Sequence, residues 1–254
     1  MKSKTVLITG ATAGIGEACA QEFAQNGHRL ILTGRRVDRL AQLSTDLQEK
    51  FQVDVLALEF DVRDREMTSK VLGNLPAAYQ HIDVLVNNAG LAAGISTVEN
   101  GDPEDWDRMI DTNVKGLLNV SRMIIPGMKD RQSGHIINLG SIAGKQTYPN
   151  GNVYCATKHA VEALTAGMRI DLLPFKIRVT NVCPGAVETE FSLVRFHGDA
   201  DKARSVYRGY TPLMAKDVAE VIYFAASRPP HVTLNDVLVM PTAQADATHF
   251  HRER

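Results

Sequence analysis

Tyr154 and Lys158 have the residue types and spacing for proton transfer, because they lie four apart in a stretch with helical periodicity. Residues i and i+4 of a helix share one face, about one turn apart. We therefore expect the Lys158 ammonium group to stabilise the phenolate and to lower the pKa of Tyr154 from its usual value of about 10. Such a phenol could give or take the proton of a carbonyl/alcohol pair during hydride transfer. An ordinary surface Tyr–Lys pair is the alternative, because this spacing alone is common.

Two further polar residues could complete such a site. Ser141 follows Asn138-Leu139-Gly140 at the end of a predicted strand, where the functional groups of open α/β sheets collect. Its hydroxyl could hold a substrate oxygen against Tyr154, or it could cap a turn. Asn113 lies inside a long predicted helix, where its amide competes for main-chain hydrogen bonds. We interpret Asn113 either as a local bend with a bound water or as an exposed helix residue.

A glycine-rich loop, Thr9-Gly10-Ala11-Thr12-Ala13-Gly14-Ile15-Gly16, follows the first predicted strand. Glycine lets the backbone turn sharply and approach a ligand closely, and the N-terminus of the next helix favours a pyrophosphate. A tight turn without a ligand is the alternative, but the position in an alternating β/α chain favours dinucleotide binding. The loop residues that we expect to contact the dinucleotide are Gly10, Thr12, Gly14, Ile15 and Gly16.

The end of the second predicted strand indicates which dinucleotide binds. A carboxylate there would hydrogen-bond the adenosine ribose and repel a 2′-phosphate, but the sequence has Thr33-Gly34-Arg35-Arg36 and no carboxylate before Asp38. Two guanidinium groups can pair with a phosphate, so we predict NADP(H); a solvated arginine pair is the alternative. Asp61-Val62, after the third strand, could contact the adenine, or Asp61 could cap a turn.

An oxidised, positively charged nicotinamide would lower the pKa of Tyr154 further.

These residues need a scaffold that brings strand ends together. Short apolar runs alternate with longer amphipathic stretches, which predicts an α/β fold with a doubly wound parallel sheet. Residues 186–212 lack a clean period, so we expect a substrate lid or short helices there. We see no linker or repeat, and residues 1–254 are predicted to be a single domain. Strands are predicted at 6–8, 29–33, 55–58, 84–86, 135–139, 177–182 and 236–240, and helices at 17–26, 37–51, 65–75, 103–126, 152–173 and 217–226.

Composition argues against several classes of protein. The 254 residues carry 28 Lys and Arg against 29 Asp and Glu, a net charge of −1, which argues against a nucleic-acid partner. No apolar stretch approaches the roughly 18–20 residues that span a bilayer, and no secretory signal is evident, so we expect no membrane partner. The histidines do not cluster at metal-ligand spacing. The cysteines Cys19, Cys155 and Cys183 form no CxxC pair, which favours a reducing, cytoplasmic location.

The joint pattern of motifs resembles the short-chain dehydrogenase/reductase family over about residues 5–190. In order, the matching motifs are Thr9-Gly10-x-x-x-Gly14-x-Gly16, Asn87-Asn88-Ala89-Gly90, Asn113, Ser141, Tyr154-x-x-x-Lys158 and Pro184-Gly185. The resemblance implies a Rossmann-type sheet with NAD(P)H along its C-terminal edge and a homotetramer.

The same resemblance implies a role for each of these residues. Tyr154 would be the catalytic acid/base, Lys158 would bind the nicotinamide ribose, and Ser141 would orient the substrate, while Asn113 would hold a relay water. Many NADP-using members have a basic residue where this chain has Ala13, so the 2′-phosphate would depend on Arg35 and Arg36. The other residues that would line the cofactor are Asn87, Ala89, Gly90, Pro184, Gly185, Val187 and Thr189.

Within the family, the chain resembles the branch that oxidises serine and related 3-hydroxy acids or reduces malonic semialdehyde and sulfoacetaldehyde. The segments that carry this resemblance are Gly151-Asn152-Val153-Tyr154, 190–196 and Met240-Pro241. It implies a short anionic aldehyde/alcohol pair, either sulfoacetaldehyde/isethionate or malonic semialdehyde/3-hydroxypropionate, or an L-serine-type 3-hydroxy acid.

Arg195 offers a physical reason for an anionic substrate. It lies between Val194 and Phe196 in the predicted lid, and a guanidinium among apolar groups near the reacting carbon would favour a carboxylate or sulfonate tail. Tyr148 could add a hydroxyl to the same tail, and a sulfonate could use further donors such as the amides of Asn152 and Gln244. The alternative for Arg195 is a salt bridge within the lid, to Asp199 or Asp201.

Two other functions remain as alternatives from the sequence. A non-catalytic NADP(H) sensor would tolerate a damaged catalytic set, whereas all four positions are intact here. A hydride-shuttling epimerase or dehydratase usually has a GxxGxxG loop and a longer C-terminal domain. The C-terminal tail from Ala243 to Arg254 has no regular period, so it is interpreted either as disordered or as an arm that enters a neighbouring subunit's active site.

Overall fold

The computed structural model describes residues 3–253, which form a seven-stranded parallel sheet and a second sheet of two strands. The strands are β1 (Thr5–Thr9), β2 (Arg29–Gly34), β3 (Val55–Glu59), β4 (Val84–Asn87), β5 (Gly134–Leu139), β6 (Ile177–Pro184), β7 (Val187–Glu188), β8 (Leu213–Met214) and β9 (Asp236–Val239). The helices are α1 (Gly14–Gln25), α2 (Val37–Phe51), α3 (Arg65–Gly73), α4 (Pro103–Ile110), α5 (Leu117–Asp130), α6 (Asn152–Leu172), α7 (Phe191–Arg195), α8 (Ala200–Ser205) and α9 (Ala215–Ser227). The predicted α/β fold with a doubly wound parallel sheet is confirmed.

Both faces of the sheet are buried, because successive side chains of a strand point to opposite faces. In β1, Val6 and Ile8 belong to one core cluster, which includes Phe23 of α1 and Ile222 of α9. Leu7 belongs to the other cluster, on the side of α3 and α5. Each fully buried aliphatic side chain contributes about 1.5–3 kcal/mol to folding. These two layers explain the short apolar strands and the amphipathic helices of the sequence.

The strand order β3-β2-β1-β4-β5-β6-β9 reverses direction between β1 and β4. Chain connections leave these two strands toward opposite sides, so a crevice opens at their carboxyl ends, where α/β sheets bind ligands. The glycine-rich loop follows β1, and the Asn88-Ala89-Gly90 segment follows β4. The fold therefore places the chemically suggestive motifs at one edge of the sheet.

The single helix predicted over residues 103–126 is divided in the structure and continues past Pro126. Asp102 caps the start of α4 by accepting the Glu104 amide proton at 2.9 Å, and a π-helical segment, Asp111–Gly116, joins α4 to α5. Pro126 lies within α5, which continues to Asp130. The expected break is absent because tertiary packing of α5 on the sheet, through residues such as Met128, offsets the missing N–H of proline.

Residues 186–212 contain α7 and α8, as the lack of a clean period predicted. We call this segment the lid. The hydroxyl group of Tyr207 donates a hydrogen bond to the Val187 carbonyl at 2.8 Å, and strand β7 pairs with β8. Hydrogen bonds thus hold the lid together internally and join it to strand β8, which follows it.

The described part of the C-terminal tail folds back on the lid of its own chain. The Glu253 amide donates to the Gly209 carbonyl at 2.7 Å, and the Arg252 guanidinium lies 5.0 Å from the centre of the Tyr210 ring. The tail through Glu253 is therefore folded against the lid, which contradicts the disordered interpretation. An arm that enters a neighbouring subunit's active site stays a prediction. None of the helices between residues 3 and 253 has the length and apolar character needed to cross a bilayer.

Candidate active site

The glycine-rich loop curves tightly between β1 and α1. Gly10 and Gly14 have φ angles of +65° and +55°, in the left-handed region that favours glycine. A Cβ atom at Gly16 would overlap the Gly10 carbonyl oxygen, so α1 can pack against the loop only because this position is glycine. Gly10 and Gly14 line a cleft above the sheet, whereas Gly16 lies behind the loop and shapes it.

Asn88, which was not predicted as a site residue, supports this loop. Its side-chain amide donates to the carbonyl oxygens of Thr9 and Gly10 at 2.8 and 3.1 Å, and it lines the cleft. Asn87, which was expected to line the cofactor, instead donates to the Ser121 hydroxyl at 3.0 Å within the protein. Asn87 lies beneath the cleft because successive residues of β4 point to opposite faces of the sheet.

Arg36 is held at the rim of the cleft by the loop itself. Its Nε donates to the Thr12 hydroxyl at 3.1 Å and its Nη2 to the Thr12 carbonyl at 3.0 Å. The remaining nitrogen, Nη1, pairs with the Glu190 carboxylate at 2.7 Å. Arg35 is more exposed, with 60% of its side chain accessible, and lies 3.6 Å from Asp61. The rim therefore carries two guanidinium groups near the glycine-rich loop.

Asp61 lines the cleft but also builds a turn. Its carboxylate accepts hydrogen bonds from the Arg63 main-chain amide at 3.0 Å and from the Arg63 guanidinium at 2.7 Å. Burial alone would raise the pKa of Asp61, but the hydrogen bonds from Arg63 hold it below its usual value. The turn interpretation of Asp61 is thus confirmed, and its contact with an adenine stays a prediction.

Tyr154 and Lys158 are both buried on α6, at 8% and 6% exposure. The Lys158 Nζ donates to the Leu139 carbonyl at 2.8 Å and lies 6.0 Å from the centre of the Tyr154 ring. The surface-pair alternative is therefore wrong. Burial lowers the pKa of Lys158 to about 8.

The expectation that Lys158 lowers the pKa of Tyr154 below its usual value is also wrong for the protein alone. Burial raises the pKa of Tyr154 above its usual value, the Tyr148 hydroxyl raises it further, and neighbouring Ser141 and Arg195 only partly oppose this. The spacing of four residues fixed the shared face correctly, but it could not report how far the site is desolvated. At neutral pH the Tyr154 hydroxyl therefore carries its proton.

Asn113 lies in the π-helical segment, which confirms the predicted local bend. It is only 2% exposed. Its Oδ1 accepts the Leu91 amide proton at 2.8 Å, while its Nδ2 donates to the Leu91 carbonyl at 2.8 Å and to the Thr157 hydroxyl at 3.0 Å. The side chain thus joins the loop after β4 to α6 at Thr157, which is next to Lys158 and three residues after Tyr154, and the exposed-residue alternative is wrong.

Ser141 caps a turn and also faces the cleft. Its Oγ accepts the Ala143 amide proton at 3.1 Å, which caps the short turn after β5. The same side chain lines the cleft together with Tyr154. Because a hydroxyl can accept and donate at once, the Ser141 proton remains able to bond a substrate oxygen.

Arg195 and Tyr148 lie beside Tyr154, outside the part of the cleft that receives the glycine-rich loop. The Arg195 Nη2 donates to the Tyr148 hydroxyl at 2.6 Å, and the guanidinium carbon lies 5.4 Å from the centres of the Tyr148 and Tyr154 rings. Its Nε is buried and has no hydrogen-bond partner in the part of the chain that the structure describes.

The alternative of a salt bridge for Arg195 is wrong. Asp199 pairs with Lys202 and Asp201 with Arg204, so neither carboxylate reaches Arg195. Asn152 and Gln244, considered as extra donors to a substrate, hydrogen-bond the main chain instead: the Asn152 Nδ2 donates to Ser96 and the Gln244 Nε2 to Asp246.

The structure gathers most of the predicted residues around one cleft. The predicted residues that line it are Gly10, Thr12, Gly14, Ile15, Arg35, Arg36, Asp61, Val62, Ala89, Gly90, Ser141, Tyr154, Lys158, Pro184, Gly185, Val187 and Thr189. The predicted residues outside it are Gly16, Asn87, Asn113, Tyr148 and Arg195. Cleft residues that sequence reasoning missed include Phe60, Asn88, Leu91, Thr112, Glu190, Phe191 and Val194. Phe60 and Asn88 follow strand ends and could have been found from that position, and Phe191 and Val194 lie in segment 190–196, which carries the family resemblance.

Comparison with known families gives a match to the short chain dehydrogenase family over residues 4–198. The chain belongs to this family. As a short-chain dehydrogenase it is an enzyme, which confirms the resemblance drawn from the motifs and sets aside the non-catalytic sensor. No observation favours an epimerase or dehydratase.

Several characterised short-chain dehydrogenases match nearly the whole chain. An NADP-dependent 3-hydroxy acid dehydrogenase of Salmonella typhi, YdfG, is 47% identical over 243 residues, 95% of this chain and 96% of that protein. Sulfoacetaldehyde reductase 2 of Chromohalobacter salexigens is 47% identical over 244 residues, 96% of each chain. The closed form of a serine dehydrogenase complexed with NADP+ has a TM-score of 0.91 and 44% identity, covering 98% of this chain and 100% of that one. This likeness confirms the Rossmann-type fold.

Proposed function

We propose that this short-chain dehydrogenase transfers a hydride between NADP(H) and a short aldehyde/alcohol pair with an anionic tail. The observation that carries the proposal is Arg195, a guanidinium 5.4 Å from the Tyr154 ring with a buried, unpartnered Nε among the described residues. A partly buried guanidinium whose Nε is desolvated and unpartnered is stabilised when an anion binds to it. A carboxylate or sulfonate tail supplies that anion.

The coenzyme of this enzyme is NADP(H), as in its NADP-dependent relatives, and the cleft fits that molecule. The loop at Gly10 and Gly14 leaves room for a pyrophosphate where any Cβ would intrude or be strained. Arg35 and Arg36 would hold the 2′-phosphate, and Arg36 is already oriented by two hydrogen bonds to Thr12. Most of the other residues expected to bind the coenzyme, among them Ala89, Gly90 and Pro184, line the same cleft, and Lys158 would hold the nicotinamide ribose.

When bound, NADPH supplies the hydride for the carbonyl carbon. The Tyr154 hydroxyl, whose pKa is raised by burial, would donate its proton to the carbonyl oxygen during reduction. Ser141 would hydrogen-bond the same oxygen and hold it against Tyr154. Asn113 would act as a positioning residue, because it fixes Leu91 and Thr157 on either side of the site, and a relay water there stays a prediction.

The names of the relatives support a short hydroxy acid or aldehyde as substrate, and we propose three candidates. Relatives of this chain are named 3-hydroxy acid dehydrogenase and sulfoacetaldehyde reductase, so sulfoacetaldehyde, malonic semialdehyde and L-serine are the compounds to compare. The Arg195 fork can bond either a carboxylate or a sulfonate, and the Tyr148 hydroxyl lies within reach of the same tail. A preference of about a hundredfold in kcat/KM, about 2.7 kcal/mol, would identify the substrate class.

The test is Arg195→Ala, assayed with an anionic aldehyde such as sulfoacetaldehyde and with neutral propionaldehyde. We expect kcat/KM for the anionic aldehyde to fall about 10- to 100-fold, mostly through KM, since one charge-assisted hydrogen-bonding group is lost. The neutral aldehyde should lose less than about threefold. Arg204→Ala is the matched control, because it removes an exposed arginine of the same lid that pairs with Asp201. Equal losses for both aldehydes would exclude Arg195 from substrate recognition.

We also propose that the enzyme is a cytoplasmic homotetramer. Ile170 of α6 and Leu173, which directly follows α6, are 73% and 74% accessible, and Leu118 of α5 is 39% accessible. Exposed apolar groups of this kind support an interface between subunits. Cys19, Cys155 and Cys183 are buried free thiols, which suits a reducing compartment.

A further inference from the structure

Glu190 joins two parts of the molecule that are far apart in sequence. Its carboxylate pairs with the Arg36 Nη1 at 2.7 Å and with the Arg39 Nη1, also at 2.7 Å. Arg36 precedes α2 and Arg39 lies in its first turn, whereas Glu190 directly precedes α7 in the lid. Both Arg36 and Glu190 line the cleft. A negative charge of the lid therefore occupies the place where the coenzyme's 2′-phosphate is proposed to bind.

Glu190 is not needed to orient Arg36. The Nε and Nη2 atoms of Arg36 are already bonded to Thr12, and only Nη1 faces the carboxylate. Removing the carboxylate would leave these two bonds to the loop in place. The Glu190 side chain is 43% exposed, so its removal leaves no buried group without a partner.

The carboxylate of Glu190 is a competitor for an incoming anion. Hydrogen bonds from Arg36 and then Arg39 lower the pKa of Glu190, so it remains charged at neutral pH. A phosphate monoester carries a charge of about −1.5 to −2 at pH 7. Two anions of this kind repel each other when they share one guanidinium group, so the phosphate and Glu190 cannot both use Arg36 Nη1 without cost.

We propose that Glu190 is a specificity-determining residue of the coenzyme site, which occupies Arg36 and Arg39 in the free enzyme and gives way there to the 2′-phosphate. This inference rests on the proposed role of Arg36. A coenzyme without the phosphate has no group that can replace the carboxylate on the arginines. Arg39, which does not line the cleft, becomes a second cation available to the phosphate once Glu190 has moved.

The test compares Glu190→Gln with the parent enzyme by isothermal titration of NADPH, NADH and adenosine 2′,5′-bisphosphate. We expect Kd for NADPH and the bisphosphate to fall about three- to tenfold, because two exposed ion pairs no longer compete with the phosphate. Kd for NADH should change less than about twofold, because the ribose hydroxyls do not displace a carboxylate. Direct binding measurements make this result independent of the substrate.

Two further variants distinguish the possible outcomes. Glu188→Gln is the matched control, because Glu188 lies two residues before Glu190 and carries the same charge but, unlike Glu190, makes no ion pair within residues 3–253. In this variant all three Kd values should stay within about twofold. Arg36→Ala should weaken NADPH but not NADH, and unchanged NADPH binding there would overturn the phosphate site itself. If Arg36→Ala weakens NADPH binding, while NADPH binding to Glu190→Gln is unchanged or weaker, only the proposed competition by Glu190 is overturned.

Discussion

At the catalytic end of the cleft Tyr154, Lys158 and Asn113 are at most 8% exposed, and Lys158 and Asn113 bond the main chain. At the other end Arg36 and Arg39 have about half of each side chain in solvent and pair with the lid. Burial shifts the pKa of both Tyr154 and Lys158. The groups proposed to move a proton are thus desolvated and fixed, whereas the groups proposed to hold a phosphate remain hydrated and are paired at the surface.

The difference matters because the two tasks need different environments. A proton donor needs a defined position and a pKa set by its surroundings, which requires the exclusion of water. A phosphate site must accept and release a highly charged ligand, which exposed and weakly paired arginines allow. The two environments lie at different ends of the cleft, and the following measurements test this contrast.

The largest effect is expected for Tyr154→Phe, which removes the proton donor but keeps the buried ring. We expect kcat to fall by about 10²- to 10⁴-fold, the usual contribution of general acid catalysis. Kd for NADPH should change less than about threefold, because the rim is untouched. Stopped-flow turnover and coenzyme titration measure the two quantities, and retained turnover would contradict the assignment of Tyr154.

A smaller effect is expected from pH. Lys158 has a pKa of about 8 in the folded protein and loses its charge as the pH rises through that value. Because Lys158 is proposed to hold the nicotinamide ribose, Kd for NADPH should rise by up to about tenfold between pH 7 and 9.5. Fluorescence titration across this range measures the effect, and the same pH dependence in Lys158→Arg would assign it to another group.

The same ionisation predicts the sign of a change in stability. The folded pKa of Lys158, about 8, lies below its ordinary value of 10.5, so the unfolded chain binds more protons between these values. The contribution of Lys158 to the free energy of unfolding therefore increases as the pH rises from 8 toward 10.5. Below pH 8 its buried charge destabilises the fold.

The smallest effect is expected from salt. Raising the ionic strength from about 0.05 to about 0.5 M screens exposed charges strongly, so Kd for NADPH should rise about threefold through the rim arginines. The kcat at saturating coenzyme should change less than about 1.5-fold, because the catalytic groups are buried. Salt that lowers kcat more than it weakens NADPH binding would reverse the contrast between the two ends of the cleft.

The sequence predicted the order of strands and helices and the site motifs that follow strand ends, because apolar periodicity and glycine spacing are local. It did not predict the continuation of α5 through Pro126, since packing on the sheet decides it. It also did not predict that Asn87 lies beneath the cleft, because a shift of one residue reverses the face of a strand.

Electrostatics was the least predictable property. The raised pKa of Tyr154 depends on burial by several elements, which the Tyr-x-x-x-Lys spacing does not contain. The pairing of Glu190 with Arg36 joins positions 154 residues apart, so no local pattern indicates it. By contrast, the proximity of Arg195 to Tyr154 followed from its place just after the residues expected to cover the nicotinamide.

The contact between the tail and the lid has a practical consequence for handling this enzyme. Arg252 and Glu253 bond the main chain of residues 206–209, so any peptide appended after them would emerge beside the lid. Ser3, by contrast, bonds Gly27 at the amino-terminal edge of the sheet, opposite the cleft. Affinity tags and surface immobilisation therefore belong at the amino terminus.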